Sequence, residues 1–173
     1  QDGSDGCSYE MDLLLDRPLS IGRKQTNSQP SLVYQIAKLL DIQKGHRVLD
    51  GGCGTGQTAS IFSQLAGIEG EVVALERHPD LYWHARVVVR HFLWRDNVNF
   101  VLGNLLEKID GCGSFDRIYI AATASEIPDV LVRALRPSGR MIIPVRLPPA
   151  PGQHELATAM LKLVAKGPHD EVE

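Results

Sequence analysis

Three glycines, each separated from the next by one residue, stand directly after a short apolar run. Gly52, Gly54 and Gly56 follow residues 46–49, and an amphipathic segment at residues 57–65 comes next. This order predicts a strand, a tight turn and a helix. Glycine permits positive φ and lets a ligand approach the backbone, while the first N–H groups of a helix are unpaired. The pattern therefore predicts a ligand-binding turn.

An acidic residue, Glu76, ends the next predicted strand at residues 71–76. A carboxylate at that point can accept both hydroxyls of a ribose. A dinucleotide fold is one alternative, but its fingerprint is G-x-G-x-x-G, whereas here the third glycine comes one residue early and Asp50 precedes the cluster. This form resembles the S-adenosylmethionine site of class I methyltransferases. A glycine-rich turn of some other α/β protein is the remaining alternative.

Composition narrows the class of protein. A chain of 173 residues suits one α/β domain and can bury a sizeable core. The net charge of -3, without a lysine or arginine cluster, gives no electrostatic case for nucleic acid, and no apolar run suggests a membrane span. We expect no signal peptide at the polar start of the chain. The three irregularly spaced cysteines favour free thiols and a cytoplasmic protein, and no metal site is expected.

Predicted strands alternate with predicted helices, which indicates a mostly parallel twisted sheet with helices on both faces. Ligands of such sheets bind beyond the carboxyl ends of the strands, so the glycines, Glu76, Asn104 and residues 121–125 should meet in one crevice. We expect an N-terminal extension, partly disordered, at residues 1–15, one domain at residues 16–166 and a polar tail at residues 167–173. The predicted strands are residues 46–49, 71–76, 97–102, 115–121, 141–145 and 155–165, and the predicted helices are residues 29–40, 57–65, 79–92 and 126–135.

A polar segment at residues 16–30 precedes the first predicted helix. It contains too many turn formers for a helix and too many polar residues for the core, so we expect a long loop, and such loops are often functional. Ser28 stands where a helix N-cap is expected, with Pro30 near the first turn, and by spacing alone a plain cap is the favoured interpretation.

With these residues assembled, the chain resembles the protein-L-isoaspartate O-methyltransferase family over about residues 16–166. The most specific part is the segment at residues 16–30, which is similar to the family pattern D-R-P-L-x-I-G-x-x-Q-T-x-S-Q-P. The pairs Phe115-Asp116 and Ile127-Pro128 and the segments at residues 135–137 and 143–145 match further landmarks. The resemblance implies a Rossmann-like class I methyltransferase fold with both ends shortened.

The resemblance also implies an activity, in which S-adenosylmethionine methylates the free α-carboxyl of L-isoaspartyl residues in damaged proteins and leaves S-adenosylhomocysteine. The ester then closes to a succinimide, whose hydrolysis returns some normal aspartate. A carboxylate with a pKa of about 3.5 is already ionised, so no general base is required and the site must supply positioning and a dry setting. Isoaspartyl peptides or proteins would be the partners of a monomeric enzyme.

The same resemblance assigns the site residues. Ser28 matches the active-site serine, which would orient the carboxylate and the methyl donor. The implied cofactor contacts, with those of the glycine motif, are Thr26, Asn27, Ser28, Val33, Asp50, Gly52, Cys53, Gly54, Gly56, Glu76, Arg77, Asn104 and Leu105, and the implied substrate contacts are Ala121, Ala122 and Thr123.

Several positions depart from the family pattern. Asn104 stands where Asp is usual at the adenine amino group, Asn27 replaces an apolar residue, Ser138 replaces Gly and Arg146 replaces Gly. Two alternatives stay open: a diverged carboxyl methyltransferase acting on a specific peptide or small molecule, and a methyltransferase-like module that binds without catalysis. RNA methylation is disfavoured by the charge and by the loop that carries Ser28.

Overall fold

The computed structural model describes residues 16–147, 159–169 and 171–172. Within these ranges no helix is long and apolar enough to cross a membrane. The elements in chain order are β1 (Leu19–Gly22), β2 (Gln25–Asn27), α1 (Pro30–Leu40), β3 (Arg47–Gly51), α2 (Gln57–Ala66), β4 (Glu71–Glu76), α3 (Pro79–Val87), a π-helix (Val88–Phe92), β5 (Val98–Leu102), α4 (Leu105–Lys108), a 3-10 helix (Ile109–Cys112), β6 (Phe115–Ile120), α5 (Asp129–Ala134), β7 (Leu135–Arg146) and β8 (Ala159–Ala165).

The described residues form a six-stranded sheet in the order β5-β4-β3-β6-β7-β8, and a separate hairpin of β1 and β2. Strands β3 to β7 pair in parallel, whereas β8 pairs with β7 antiparallel. The strand order changes direction at β3, where β4 lies on one side and β6 on the other. A crevice is expected at this point of a parallel sheet. The predicted fold class, a Rossmann-like mostly parallel sheet, is confirmed.

Alternate residues of each strand fill two separate cores on the two faces of the sheet, because successive side chains point to opposite faces. Val48 and Tyr119 face the helices α1 and α2, while Leu49 and Ile118 face the 3-10 helix and α5. Both cores consist of buried side chains, and Phe62 and Phe115 are among their largest fully buried ones. The two covered faces leave the carboxyl ends of the strands free to build a site.

The segment at residues 19–27 corrects the sequence prediction of a long loop. It forms the antiparallel hairpin β1–β2, with Leu19 paired to Asn27 and Ser20 to Thr26. Arg23 and Lys24 make the tight turn of this hairpin with positive φ, and they follow Gly22, one of the turn formers that argued against a helix.

The start of α1 also differs from the prediction that Ser28 is its N-cap. The N-cap is Gln29, whose side chain makes no capping hydrogen bond, and Pro30 begins the helix. Instead, the Asp16 carboxylate accepts a hydrogen bond of 2.9 Å from the Ser31 N–H. Because a carboxylate from outside the helix caps it, the Ser28 side chain is left for another partner.

Other elements also differ from the prediction. Helix α5 is shorter than the predicted residues 126–135, and β7 begins at Leu135 because that residue already pairs with Phe115. The predicted turn at residues 136–139 survives as a bulge inside β7, since the next paired residue is Arg140. The predicted helix at residues 79–92 changes to a π-helix in its last turn. The predicted strand at residues 155–165 is observed from Ala159, and its first four residues lie outside the described ranges.

Candidate active site

The carboxyl ends of β3, β4, β5 and β6 open onto a cleft of about 760 Å³. The cleft brings together most of the site residues predicted from the sequence. Those that line it are Thr26, Asn27, Ser28, Gly52, Cys53, Gly54, Glu76, Arg77, Asn104, Leu105, Ala121, Ala122 and Thr123. Val33, Asp50 and Gly56 do not line it: Val33 is buried in α1, Asp50 is buried at the end of β3, and Gly56 directly precedes α2.

The glycine turn, residues 52–56, is fixed by hydrogen bonds from its own backbone to β4. The Gly52 and Cys53 N–H groups donate to the Leu75 carbonyl at 2.8 and 3.1 Å. Gly52, Gly54 and Gly56 all have positive φ, as the spacing predicted. Gly56 has a further constraint, because a Cβ there would lie 2.7 Å from Val89 of the π-helix. Its glycine is therefore required for packing between turn and helix.

The Glu76 carboxylate connects β4 to the glycine turn. It is 5% exposed, with Oε2 accepting from the Gly54 N–H at 3.0 Å and Oε1 accepting from the His78 N–H at 2.9 Å. Each carboxylate oxygen has a second acceptor site. Glu76 can therefore hold the turn in place and still accept two hydroxyl groups from a ligand in the cleft.

Asp50 is a buried acid directly behind the same turn. Its side chain is fully buried, and neither carboxylate oxygen has a hydrogen-bond partner among the described residues. Burial, and secondly the nearby Glu76 carboxylate, raise the pKa of Asp50 to about 7. Asp50 therefore sits close to the midpoint of its titration at neutral pH.

The lid hairpin, which is β1, β2 and the turn between them, lies across the glycine turn. At its tip, Arg23 makes an exposed ion pair of 2.9 Å with Asp80 at the start of α3. At its base, Asn27 Oδ1 accepts from Thr55 Oγ1 at 2.9 Å. This bond gives a physical reason for a polar side chain at position 27. The hairpin is thus attached at its tip to α3 and at its base to the glycine turn.

Ser28, directly after the lid hairpin, reaches down to the sheet. Its Oγ lies 3.4 Å from the hydroxyl of Tyr119, which is 3% exposed. Tyr119 was not among the residues predicted from the sequence. The available signal was its place next to the end of the predicted fourth strand, which the parallel register puts beside Asp50.

Asn104 lies at the end of the cleft formed by β5. It is the N-cap of α4, where its Oδ1 accepts from the Leu106 N–H at 3.2 Å and its Nδ2 donates to Glu107 at 3.1 Å. The side-chain oxygen retains an acceptor site, so capping leaves it able to take a hydrogen bond from an amino group. The predicted contact with adenine is compatible with this geometry.

The loop after β6 forms the opposite wall. Ala121 donates to the Gly51 carbonyl at 2.9 Å, and Ala124 pairs with β7 through hydrogen bonds with the Pro144 carbonyl and the Arg146 N–H. Only the backbone of Arg146 makes this contact. Because Ala121 and Ala124 are held by these hydrogen bonds, Ala122 and Thr123 between them form an exposed strip along the cleft.

The charges around the cleft have both signs. Lys24 and Arg77 line it together with the acidic side chains of Glu76 and Glu126. Within the described part of the chain, no group of three or more His, Cys, Asp and Glu side chains could hold a metal ion. The arrangement suits binding of a nucleoside-bearing ligand beside an anionic group.

Comparison with known proteins gives a consistent result. Residues 6–162 match the family model of protein-L-isoaspartate(D-aspartate) O-methyltransferase. The chain is 37% identical to protein-L-isoaspartate O-methyltransferase 2 of Archaeoglobus fulgidus, covering 80% of this chain and 63% of the relative. It is 42% identical to the Methanothrix thermoacetophila enzyme (75% and 61% covered) and 41% identical to that of Methanocella arvoryzae (78% and 71% covered). The chain thus spans about three-fifths of the length of the first two relatives.

Solved structures agree with the sequence relatives. A Plasmodium falciparum structure named as a protein-L-isoaspartate O-methyltransferase in complex with S-adenosyl-L-homocysteine has a TM-score of 0.73 and 27% identity, covering 87% of this chain and 72% of that one. A second protein-L-isoaspartate O-methyltransferase has a TM-score of 0.76 and 27% identity, covering 95% of this chain and 50% of that one. From the family model, the sequence relatives and the fold, this chain belongs to the protein-L-isoaspartate(D-aspartate) O-methyltransferase family.

Proposed function

We propose that this chain transfers a methyl group from S-adenosylmethionine to the free α-carboxyl of L-isoaspartyl residues in damaged proteins. The observation that carries the proposal is the position of Ser28 and the lid hairpin over one cleft, which the glycine turn, Glu76 and the strip of Ala122 and Thr123 also line. The activity of the named relatives and the S-adenosyl-L-homocysteine in the Plasmodium structure support the same conclusion.

The residues of the cleft fit the cofactor. Glu76 would accept the two ribose hydroxyls, Asn104 Oδ1 would accept the adenine amino group, and Gly52 and Gly54 would leave the backbone open to the amino-acid end. When bound, S-adenosylmethionine supplies an electrophilic methyl group on a sulfonium. The lid hairpin would cover that end of the ligand, because Ile21 already lies against Gly54.

Substrate binding requires a group that receives a carboxylate. The Ser28 hydroxyl would donate a hydrogen bond to it, and Lys24 and Arg77 at the cleft would offset its charge. No proton has to be removed, because the carboxylate is already ionised at neutral pH. The contribution of the protein would be alignment of the two reactants and exclusion of water by the lid hairpin.

The exposed strip of Ala122 and Thr123 would bind the peptide. Small side chains leave the backbone N–H and C=O groups accessible, so the strip can read a peptide backbone with little dependence on the neighbouring side chains. A repair enzyme needs this property, since isoaspartate arises in many sequences. We also propose a monomer in the cytoplasm, supported by the free thiols of Cys53 and Cys112.

Transfer of labelled methyl groups to an isoaspartyl peptide and to its aspartyl twin tests the proposal. We expect base-labile label on the isoaspartyl peptide alone. Equal label on both peptides would indicate a diverged carboxyl methyltransferase without isoaspartyl specificity. If neither peptide were labelled while calorimetry showed tight S-adenosylhomocysteine binding, the chain would be a binding module and the proposed activity would be wrong.

A further inference from the structure

Tyr119 is the polar side chain of the sheet that reaches Ser28. Its ring is buried beneath α2, where it makes an edge-to-face contact with Phe62 at a centroid distance of 6.0 Å. Its hydroxyl lies 3.4 Å from Ser28 Oγ. A purely structural tyrosine at this position could be a phenylalanine, because the ring contact with Phe62 does not use the hydroxyl.

We propose that Tyr119 is a positioning residue, whose hydroxyl donates to Ser28 Oγ and directs the Ser28 hydroxyl towards the substrate carboxylate. The inference rests on the proposed function, because it assigns the orientation of Ser28 in that reaction. It concerns Ser28 and not the cofactor, because Tyr119 does not line the cleft.

The direction of the hydrogen bond follows from the substrate. A carboxylate can only accept hydrogen bonds, so Ser28 must donate to it. The serine has one proton, and the bond between the two hydroxyls must then run from Tyr119 to Ser28. Burial raises the pKa of Tyr119 and outweighs the hydrogen bond with Ser28, which lowers it, while the Asp50 carboxylate raises it a little further, so the phenol keeps its proton.

The position of the tyrosine is fixed from below. Tyr119 pairs with Asp50 in the parallel register of β3 and β6, and both side chains are buried on the face covered by α1 and α2. By contrast, Ser28 belongs to neither β2 nor α1 and is joined to the sheet through this contact. Tyr119, which is fixed in the sheet, thus orients Ser28, which is less constrained.

The distance of 3.4 Å is long for a bond between hydroxyls, which is usually about 2.8 Å. Hydrogen bonds of active sites often shorten only when substrate binds. The expected contribution is that of one neutral hydrogen bond, so its loss should lower kcat by roughly 3- to 10-fold.

The experiment is a double-mutant cycle of Ser28→Ala and Tyr119→Phe, measured as methyl transfer to an isoaspartyl peptide. We expect Tyr119→Phe to lower kcat by roughly 3- to 10-fold and to leave the Kd of S-adenosylhomocysteine unchanged. In the Ser28→Ala background, Tyr119→Phe should have no further effect, since its target is gone. Tyr82→Phe is the matched control, because Tyr82 is also a buried, ring-packed tyrosine, whereas the hydroxyl beside Ser28 belongs to Tyr119.

The outcomes separate the two proposals. If the wild type transfers methyl groups and Tyr119→Phe is as active as Tyr82→Phe, or if its effect multiplies with that of Ser28→Ala, Tyr119 does not act through Ser28 and the inference is wrong. If the wild type labels no isoaspartyl peptide, the proposed function is wrong and the inference fails with it. Raised Kd for S-adenosylhomocysteine in Tyr119→Phe would also overturn it, since the change would then disturb the cofactor site.

Discussion

Two acidic side chains, Glu76 and Asp50, lie next to the glycine turn. Glu76 accepts two backbone N–H groups, and Asp50 carries a carboxyl without a partner among the described residues. The Glu76 carboxylate creates a region of negative potential under the cleft, and Asp50 adds to it as it ionises around pH 7. A sulfonium ligand carries a positive charge, so this arrangement should favour it over a neutral or anionic ligand of the same shape.

The raised pKa of Asp50 predicts a pH-dependent stability. The native state holds its proton up to a pH of about 7, whereas the unfolded chain releases it near the ordinary value of 3.8. The native state thus binds more protons in this window, and stability should fall as pH rises from about 4 to 7. The Asp50→Asn side chain cannot ionise. Its free energy of unfolding, measured in urea, should therefore rise relative to that of the wild type by up to about 4 kcal/mol between pH 4 and 7.

Asp116→Asn is the control of opposite sign. The pKa of Asp116 is lowered, because hydrogen bonds from the Arg47 N–H and from Arg136 outweigh its partial burial. Its carboxylate should therefore stabilise the native state above a pH of about 4, and the variant should lose stability relative to the wild type as pH rises. If the Asp50→Asn and wild-type profiles ran parallel from pH 4 to 7, the assignment of a raised pKa to Asp50 would be wrong.

At the scale of elements, the sequence predicted the repeating strands and helices well because their apolar residues recur with a clear period. It failed where tertiary pairing decides. Residues 19–27 contain turn formers and too few apolar residues to signal a strand, so only pairing across the hairpin reveals β1 and β2. Likewise the Pro137-Ser138-Gly139 turn interrupts β7 without ending it, because β6 pairs with Leu135 before the turn and with Arg140 after it.

The candidate site divides in the same way. The glycines and Glu76 were predictable because the turn and the strand end need those residue types. The polar contact of Ser28 could not be predicted, because its spacing fits an N-cap equally well. Only the position of Asp16, whose carboxylate caps α1, removes that alternative. Tyr119 was missed because a tyrosine in an apolar strand looks like core.

Two glycines with the same backbone conformation allow packing to be separated from strain. Gly45 and Gly56 both have a φ of +83°, but a Cβ at Gly45 would meet nothing within 4 Å, whereas one at Gly56 would lie 2.7 Å from Val89 and 3.2 Å from Ala85. Gly45→Ala should cost about 1–2 kcal/mol for the backbone alone. Gly56→Ala should cost a further 1–3 kcal/mol or so by overpacking α3 and the π-helix.

Urea unfolding of both variants measures the difference. Equal losses of unfolding free energy would show that Val89 moves aside at little cost, and that the third glycine of the motif is needed only for its backbone conformation.

The lid hairpin provides a prediction about motion. Thr55→Val keeps the shape of the side chain but removes the hydrogen bond to Asn27 Oδ1. We expect a loss of about 0.5–1.5 kcal/mol for this bond, faster hydrogen exchange in β1 and β2, and a dissociation rate of S-adenosylhomocysteine raised by roughly 2- to 10-fold. Urea unfolding measures the loss of stability, hydrogen-exchange mass spectrometry the exchange rates in β1 and β2, and stopped-flow binding the dissociation rate.

Arg23→Gln is the control for the other attachment of the lid hairpin. Arg23 and Asp80 are both about half exposed, and exposed ion pairs contribute little. This variant should keep wild-type exchange in β1 and β2. If it loosened the hairpin as much as Thr55→Val does, the tip and not the base would hold the lid.

For the molecule as a whole, strand order decides where function lies. The direction change at β3 puts the glycine turn between β4, which ends in Glu76, and β6, which leads into the strip of Ala122 and Thr123. A cofactor wall and a substrate wall therefore adjoin the same central strand. The chain spans about three-fifths of the relatives in Archaeoglobus and Methanothrix, yet the described residues include both walls and the lid hairpin.

A ligand-dependent rise in Tm tests whether this 173-residue chain is sufficient for cofactor binding. A ligand that binds only the native state stabilises it by about 2.7 kcal/mol at 100 times its Kd. For a chain of this size that corresponds to a rise in Tm of roughly 5–10 °C with S-adenosylhomocysteine.

Glu76→Gln removes one acceptor oxygen and should reduce the rise at the same ligand concentration, because charge-assisted hydrogen bonds contribute about 1.5–3 kcal/mol. NAD should leave the Tm unchanged, since the glycine spacing and the lid hairpin fit a single nucleoside. An equal rise with NAD, or none with S-adenosylhomocysteine, would contradict the assignment of the cleft to this cofactor, whatever peptide the enzyme accepts.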